Sequence, residues 1–187
     1  MSKTKSLNFM ALFVVLITVG AFIKIPVPVM PFTLQFLFTT LAGILLGGKQ
    51  GALSVLCYII LALFGLPIFA GGGGFFYVLQ PTFGYLIGFI LGTYVTGIIA
   101  GSVPSPSMTR LFIASFAGLI IVYVLGMAYY WFIAQFYLGT GIGLWTLFLY
   151  CFVLAVPGDI VLCIVAAFLG KRLLPILQIC RKEGISA

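Results

Sequence analysis

The stretch GLPIFAGGGGFFYVLQPTFGYL, residues 65–86, sets four consecutive glycines, Gly71, Gly72, Gly73 and Gly74, between aromatic residues. Glycine gives up more backbone freedom on ordering than any other residue, so four in a row read as a loop and not as the interior of a helix. The chain on both sides is apolar enough to lie in lipid. Residues 51–64 before the loop and 82–100 after it read as membrane helices, and that reading decides the fold: a helical membrane bundle whose loops carry the special backbone geometry.

Four more apolar runs appear on moving outward from the loop. The first covers about 7–25 and stops at the turn-prone IPVPVMP (25–31); the second covers about 32–47. Beyond the polar connector GSVPSPSMTR (101–110), the fifth covers about 111–138 and turns at GTGIG (139–143). The sixth covers about 144–170 and leads into a basic tail. A bilayer crossing takes roughly 20 apolar residues, so the second and third runs are short. The basic start and apolar run at the N-terminus resemble a signal peptide, but no small-residue cleavage site follows, and the segment reads as a retained helix.

Six crossings place both termini on one side. Lys3, Lys5, Lys49, Arg110, Lys171, Arg172, Arg181 and Lys182 then share that side, and Lys24 alone falls on the other. The bias assigns the termini to the cytoplasm and turns the glycine loop, residues 25–31 and residues 139–143 outward. The expected architecture is all-α, with six transmembrane helices in one membrane-embedded domain, 1–187, of a multi-pass protein of a prokaryotic plasma membrane.

Composition removes whole classes of function. The chain is 64% hydrophobic and 6% charged, with a mean hydropathy of +1.34, which no soluble domain of this size shows. It has no histidine and only two acids, Asp159 and Glu183. The four cysteines lack metal-ligand spacing and read as small buried hydrophobes. No metal, cofactor or nucleic-acid partner is expected, and the +7 formal charge is explained by membrane topology. GILLGGKQ (43–50) imitates a phosphate-binding loop but has Gln50 where a metal-binding hydroxyl is needed. It reads as a cytoplasmic turn at Gly47, Gly48 and Lys49. The chain therefore has no nucleotide engine, and with one intramembrane acid it lacks the several buried ionisable groups typical of ion-driven pumps.

Asp159, in AVPGDIVLC, is the residue with most chemistry to explain. An acid at membrane depth costs at least about 2.5–3.5 kcal/mol on insertion scales, and Pro157 just before it frees a carbonyl and bends a helix. Either the carboxylate accepts hydrogen bonds from a ligand, or it is a structural acid satisfied by Ser, Thr or Tyr on neighbouring helices. Gln35, which opens the second run, and Thr82 and Tyr85, which open the fourth, lie near the same outer surface. Alone, each also reads as a capping or interfacial residue. Gly84, Gly88 and Gly92, continued by Thr96 and Ala100, form a small-residue stripe that reads as helix packing within the bundle.

The motifs VPVMPFTLQ (27–35), GLPIFAGGGG (65–74), PTFGYLIGF (81–89) and PGD (157–159) together resemble the BioY family, the biotin-specific substrate-binding S components of energy-coupling factor (ECF) vitamin transporters. The likeness runs along nearly the whole chain in the same order. Leu162 stands where that family usually has a lysine, Phe83 where glycine is common, and Tyr129 where tryptophan is. The resemblance implies six helices, high-affinity biotin capture from outside, and a partner module of one transmembrane coupling subunit and two ABC ATPases; it implies no enzyme activity.

Biotin's chemistry then assigns roles. Asp159 accepts from a ring N–H, and Gln35 pairs with the ring or the tail. Phe32, Tyr85 and the backbone of Gly71 to Gly74 contact the ring, and Thr82 offers a hydroxyl. Ala70 to Gly74 line or cap the site, with Phe75, Phe76 and Tyr77 as an apolar cover. Lys24, the one outward cation, is one candidate partner for the carboxylate; Thr, Tyr and backbone N–H groups are the alternatives. The resemblance also implies that the module docks on the face of the first helix around Ala11 and Val15. The competing readings are an S component for another vitamin such as thiamine or riboflavin, a proton-coupled carrier that uses Asp159 as its relay, and a structural membrane protein.

Overall fold

The computed structural model describes residues 3–25, 32–139, 143–153 and 155–183. Residues 1–2, 26–31 of the IPVPVMP stretch expected to turn, 140–142 of GTGIG, 154 and 184–187 lie outside the described residues. Seven α-helices follow one another among the described residues: α1 (Lys3–Phe22), α2 (Gln35–Leu46), α3 (Gly48–Leu63), α4 (Phe83–Gly101), α5 (Met108–Phe136), α6 (Leu144–Phe148) and α7 (Val156–Glu183). A two-residue strand pair, β1 (Lys24–Ile25) antiparallel to β2 (Phe32–Thr33), aligns Lys24 with Thr33 and Ile25 with Phe32.

Four helices are long and apolar enough to cross a membrane: Thr4–Phe22, Phe83–Gly101, Met108–Phe136 and Val156–Leu177. α2 and α3, with 12 and 16 residues, rise about 18 and 24 Å at 1.5 Å per residue. They are joined through the single residue Gly47, whose φ of +86° favours glycine. Lys49 lies in the first turn of α3, and the chain around it makes a helix-to-helix joint, not a phosphate cradle.

The expected sixth run is not one helix. α6 continues through a π-helical turn (Leu149–Val153), and α7 starts afresh at Val156. Pro157 therefore occupies the first turn of α7, where its missing N–H has no intrahelical partner to lose; it starts a helix instead of kinking one. Asp159 in the same turn faces the positive end of the helix dipole. At its other end α7 runs on through Lys171 and Arg172, so the basic tail is helical.

The bundle closes around α4 and α5. A Cβ on Gly88 would lie 2.8 Å from Val122 Cα, and one on Gly92 would lie 2.9 Å from the Gly118 carbonyl oxygen. The helices thus touch backbone to backbone, as small residues permit. Thr96 Oγ1 donates to the Ala114 carbonyl at 3.0 Å across the same seam. On the other flank a Cβ on Gly43 would meet the Thr93 carbonyl oxygen at 2.6 Å, and Thr93 Oγ1 donates to the Thr39 carbonyl at 3.2 Å. Gly84, Gly88, Gly92 and Gly97 of α4 serve packing inside the bundle. Outward, Leu7, Val15, Leu91, Ile113, Val124 and Val161 are exposed, a surface suited to lipid tails.

Candidate functional site

At one end of the bundle the starts of α2, α4 and α7 converge with the middle of α5, the strand pair and the glycine loop. They enclose a cavity of about 310 Å³, at the lower end of the roughly 300–1,000 Å³ usual for small-molecule sites. Phe36, Phe69, Leu86, Phe89, Val122 and Ala155 supply apolar wall; Lys24, Thr33, Gln35, Gln80, Thr82 and Asp159 supply polar groups. Lys24 is the one cation among the described lining residues.

Of the residues expected from sequence, Lys24, Phe32, Gln35, Ala70, Gly71, Thr82, Tyr85 and Asp159 all line this cavity. Gly72, Gly73 and Gly74 build the loop that carries the lining pair. Phe69 and Gly72 exchange backbone hydrogen bonds of 2.8 and 3.1 Å, which leaves Ala70 and Gly71 at the tip of a two-residue turn. Gly72 and Gly74 have φ of +120° and +104°, and a side chain on Gly73 would run into the Leu66 carbonyl. The Gly74 N–H donates to the Ala62 carbonyl at 2.8 Å, and Lys24 Nζ donates to the Ala70 carbonyl at 3.1 Å. The four glycines thus form a tied hairpin.

The aromatic cover differs from expectation. Tyr77 alone of its trio lines the cavity, while Phe75 and Phe76 are 74% and 81% exposed. Tyr77 stacks on Phe69 with ring centres 4.3 Å apart. Burial pushes its hydroxyl above the ordinary phenol range, against opposing hydrogen bonds to Thr82 and Gly71, so it stays protonated.

Two polar groups stand out in this apolar setting. Asp159 is 8% exposed, and its Oδ2 accepts a 2.5 Å hydrogen bond from the Tyr123 hydroxyl. The acid thus has a tyrosine of a neighbouring helix as partner, as the structural reading expected, and it also lines the cavity. Gln35 is 4% exposed, and its Nε2 makes no hydrogen bond of good geometry; its amide interacts with the Tyr58 hydroxyl, which itself donates to the Ile68 carbonyl at 2.9 Å. Buried donors are almost always paired, and this weakly engaged amide stands at the cavity wall.

Glycines again set the positions. Gly158 leaves room for the Phe32 ring, which a Cβ there would meet at 2.7 Å, and Gly126 leaves room for the Tyr85 ring. Tyr123, Phe69 and Gln80 are lining residues that sequence reasoning did not select. Phe69 flanks the glycine loop and so carried a signal; Tyr123, inside a long apolar run, carried none.

The whole chain can be set beside known proteins. The BioY family profile matches residues 1–179. A protein named "Probable biotin transporter BioY" from Lysinibacillus sphaericus is 45% identical over 179 residues, covering 96% of this chain and 91% of its own. The "Biotin transporter BioY" of Thermotoga maritima is 43% identical over 127 residues, 67% of this chain and 72% of that one. Among solved structures, the S-component for biotin from an ECF-type ABC transporter superimposes with a TM-score of 0.78 at 29% identity, over 91% of both chains. With a profile match along nearly its full length and a relative 45% identical across it, the chain belongs to the BioY family.

Proposed function

We propose that this chain is the biotin-binding S component of an ECF-type ABC vitamin transporter, a binding subunit without enzyme activity. It captures biotin from outside the cell and hands it inward with a coupling subunit and two ABC ATPases. The observation that carries this reading is the pairing of a buried acceptor with a buried amide donor on one small cavity: Asp159 and Gln35 Nε2. The bicyclic head of biotin carries two ureido N–H donors and one carbonyl acceptor. Asp159 accepts from an N–H, and Gln35 donates to the carbonyl. Phe32, Tyr85 and the Ala70–Gly71 turn pack on the apolar faces, and Thr82 adds a hydroxyl. Lys24, on the strand pair, meets the tail carboxylate. Gly72, Gly73 and Gly74 act through the shape of the turn.

The family likeness and the charge distribution support one membrane domain, 1–187, with six crossings of the plasma membrane, α2 and α3 among them, and both termini cytoplasmic. Lys49, Arg110, Lys171 and Arg172 then lie at the inner face and Lys24 at the outer. The docking surface is the exposed face of α1, where Ala11 and Val15 point away from the bundle core. The purified protein in detergent, without ATP, is expected to bind biotin stoichiometrically and to ignore thiamine and riboflavin in titration calorimetry. Absence of biotin binding, or equal binding of the other vitamins, would sink the reading.

A further inference from the structure

We propose that Tyr123 is the positioning residue of this site: its hydroxyl holds the Asp159 carboxylate so that the oxygen it does not engage faces the cavity as an acceptor for a ring N–H. The proposal rests on the reading of Asp159 as a ligand acceptor and goes beyond it by naming what aims the acid.

The geometry is that of a built clamp. The 2.5 Å separation of the Tyr123 hydroxyl and Asp159 Oδ2 is at the short end expected when an O–H donates to a carboxylate. Tyr123 cannot easily point elsewhere. It is 2% exposed, and its ring lies edge-to-face against Tyr85 at 6.0 Å and 90° and against Phe152 at 5.4 Å and 79°. The Tyr85 ring is itself seated on Gly126. Asp159 stands in the first turn of α7 and lines the cavity together with Phe36, Phe89, Val122 and Ala155. The phenol reaches it from α5, a different helix, and so holds the carboxylate from outside its own helix. A single hydrogen bond from a rigid phenol also uses only part of the carboxylate's accepting capacity, which leaves an oxygen for the guest.

Asp159 is the only aspartate in the chain, so ¹³C-aspartate labelling gives an infrared carboxylate band from one residue. The test measures that band and biotin affinity in the purified full chain, for wild type, Tyr123→Phe, Asp159→Asn, the double variant and Phe152→Leu. Tyr123→Phe removes one oxygen and is expected to shift the labelled band and weaken biotin binding about tenfold. The double variant should bind no more weakly than Asp159→Asn alone, because the phenol acts through the acid. Phe152→Leu removes one of the ring's two aromatic neighbours, while Tyr85 still holds the ring and the hydroxyl is untouched. It should lower the unfolding temperature while leaving the band in place. The proposal is overturned if Tyr123→Phe leaves the band or the affinity unchanged, if the two losses multiply in the double variant, or if Phe152→Leu reproduces both effects. Unchanged affinity in Asp159→Asn would instead remove the acid from the site, and the positioning role with it.

Discussion

Gln35 is the side chain on which the proposed reading is most simply tested. Its Nε2 is buried without a hydrogen bond of good geometry, and a buried polar group left unsatisfied costs about 1–3 kcal/mol in a protein interior. On the proposed reading, biotin supplies the missing acceptor. Gln35→Met keeps the length of the side chain and deletes the amide. We expect the variant to unfold at a higher temperature than wild type in detergent while losing biotin affinity, and a drop in both quantities would show that the amide supports the fold instead. Asp159→Asn should cost about 1.5–3 kcal/mol of binding, roughly a 10- to 150-fold weaker Kd by calorimetry, with the fold retained because Asn still accepts from Tyr123. Asp159 and Gln35 were legible in the sequence because polar atoms in apolar runs need a reason. Tyr123 was not: one of nine tyrosines in an apolar helix, it gains meaning only from what α7 places opposite it.

Among the elements, the α4–α5 seam and the glycine hairpin lead to opposite expectations. In the seam, Gly88→Ala forces a methyl against Val122 Cα and should destabilise by about 1–3 kcal/mol. Leu91→Ala, on the exposed face of the same helix, should stay within about 0.5 kcal/mol in the same thermal melts. Equal effects would mean that the seam yields. In the hairpin, the tip lines the cavity and is tied to β1 through Lys24, and the base is tied to the end of α3. A cysteine placed at Ala70 in a cysteine-free background should react with a thiol reagent more slowly once biotin is saturating; an unchanged rate would remove the hairpin from the site's cover. Hydropathy located every long helix, because lipid length is written in composition. It missed the break between α6 and α7 since LYCFVLAV is apolar throughout and a change of backbone course leaves hydropathy untouched. It also ended α7 too early, because Lys171 and Arg172 end an apolar run without ending a helix.

At the scale of the whole molecule, the described chain offers a cavity and no engine. Tight capture makes inward release hard, and release needs a conformational change driven by differential binding free energy. That energy has to come through the lipid-facing surface, where α1 presents Leu7, Ala11, Val15 and Val19 outward. Ala11→Trp should abolish co-purification with the coupling subunit and ATPases and, with it, transport, while biotin binding by the isolated chain stays intact. Normal assembly of that variant would move the docking face elsewhere. Wild-type protein alone in sealed liposomes should not concentrate biotin, and accumulation without ATP would refute the need for a partner. The resemblance in four motifs made this much legible; the contacts that turn those motifs into one cavity were not, because they join residues as far apart as Phe32 and Gly158.

The backbone contact of α4 with α5 also bears on how such a chain changes over generations. Every single-nucleotide change that replaces glycine inserts a larger side chain, and at Gly84, Gly88 and Gly92 there is an atom of α5 already in that place. The outward face a few ångströms away accepts almost any apolar residue. In a saturation library selected for growth on trace biotin, Gly88 and Gly92 should come out nearly blank beside a permissive Leu91. Drift in this protein is steered by where lipid, and not another helix, fills the space.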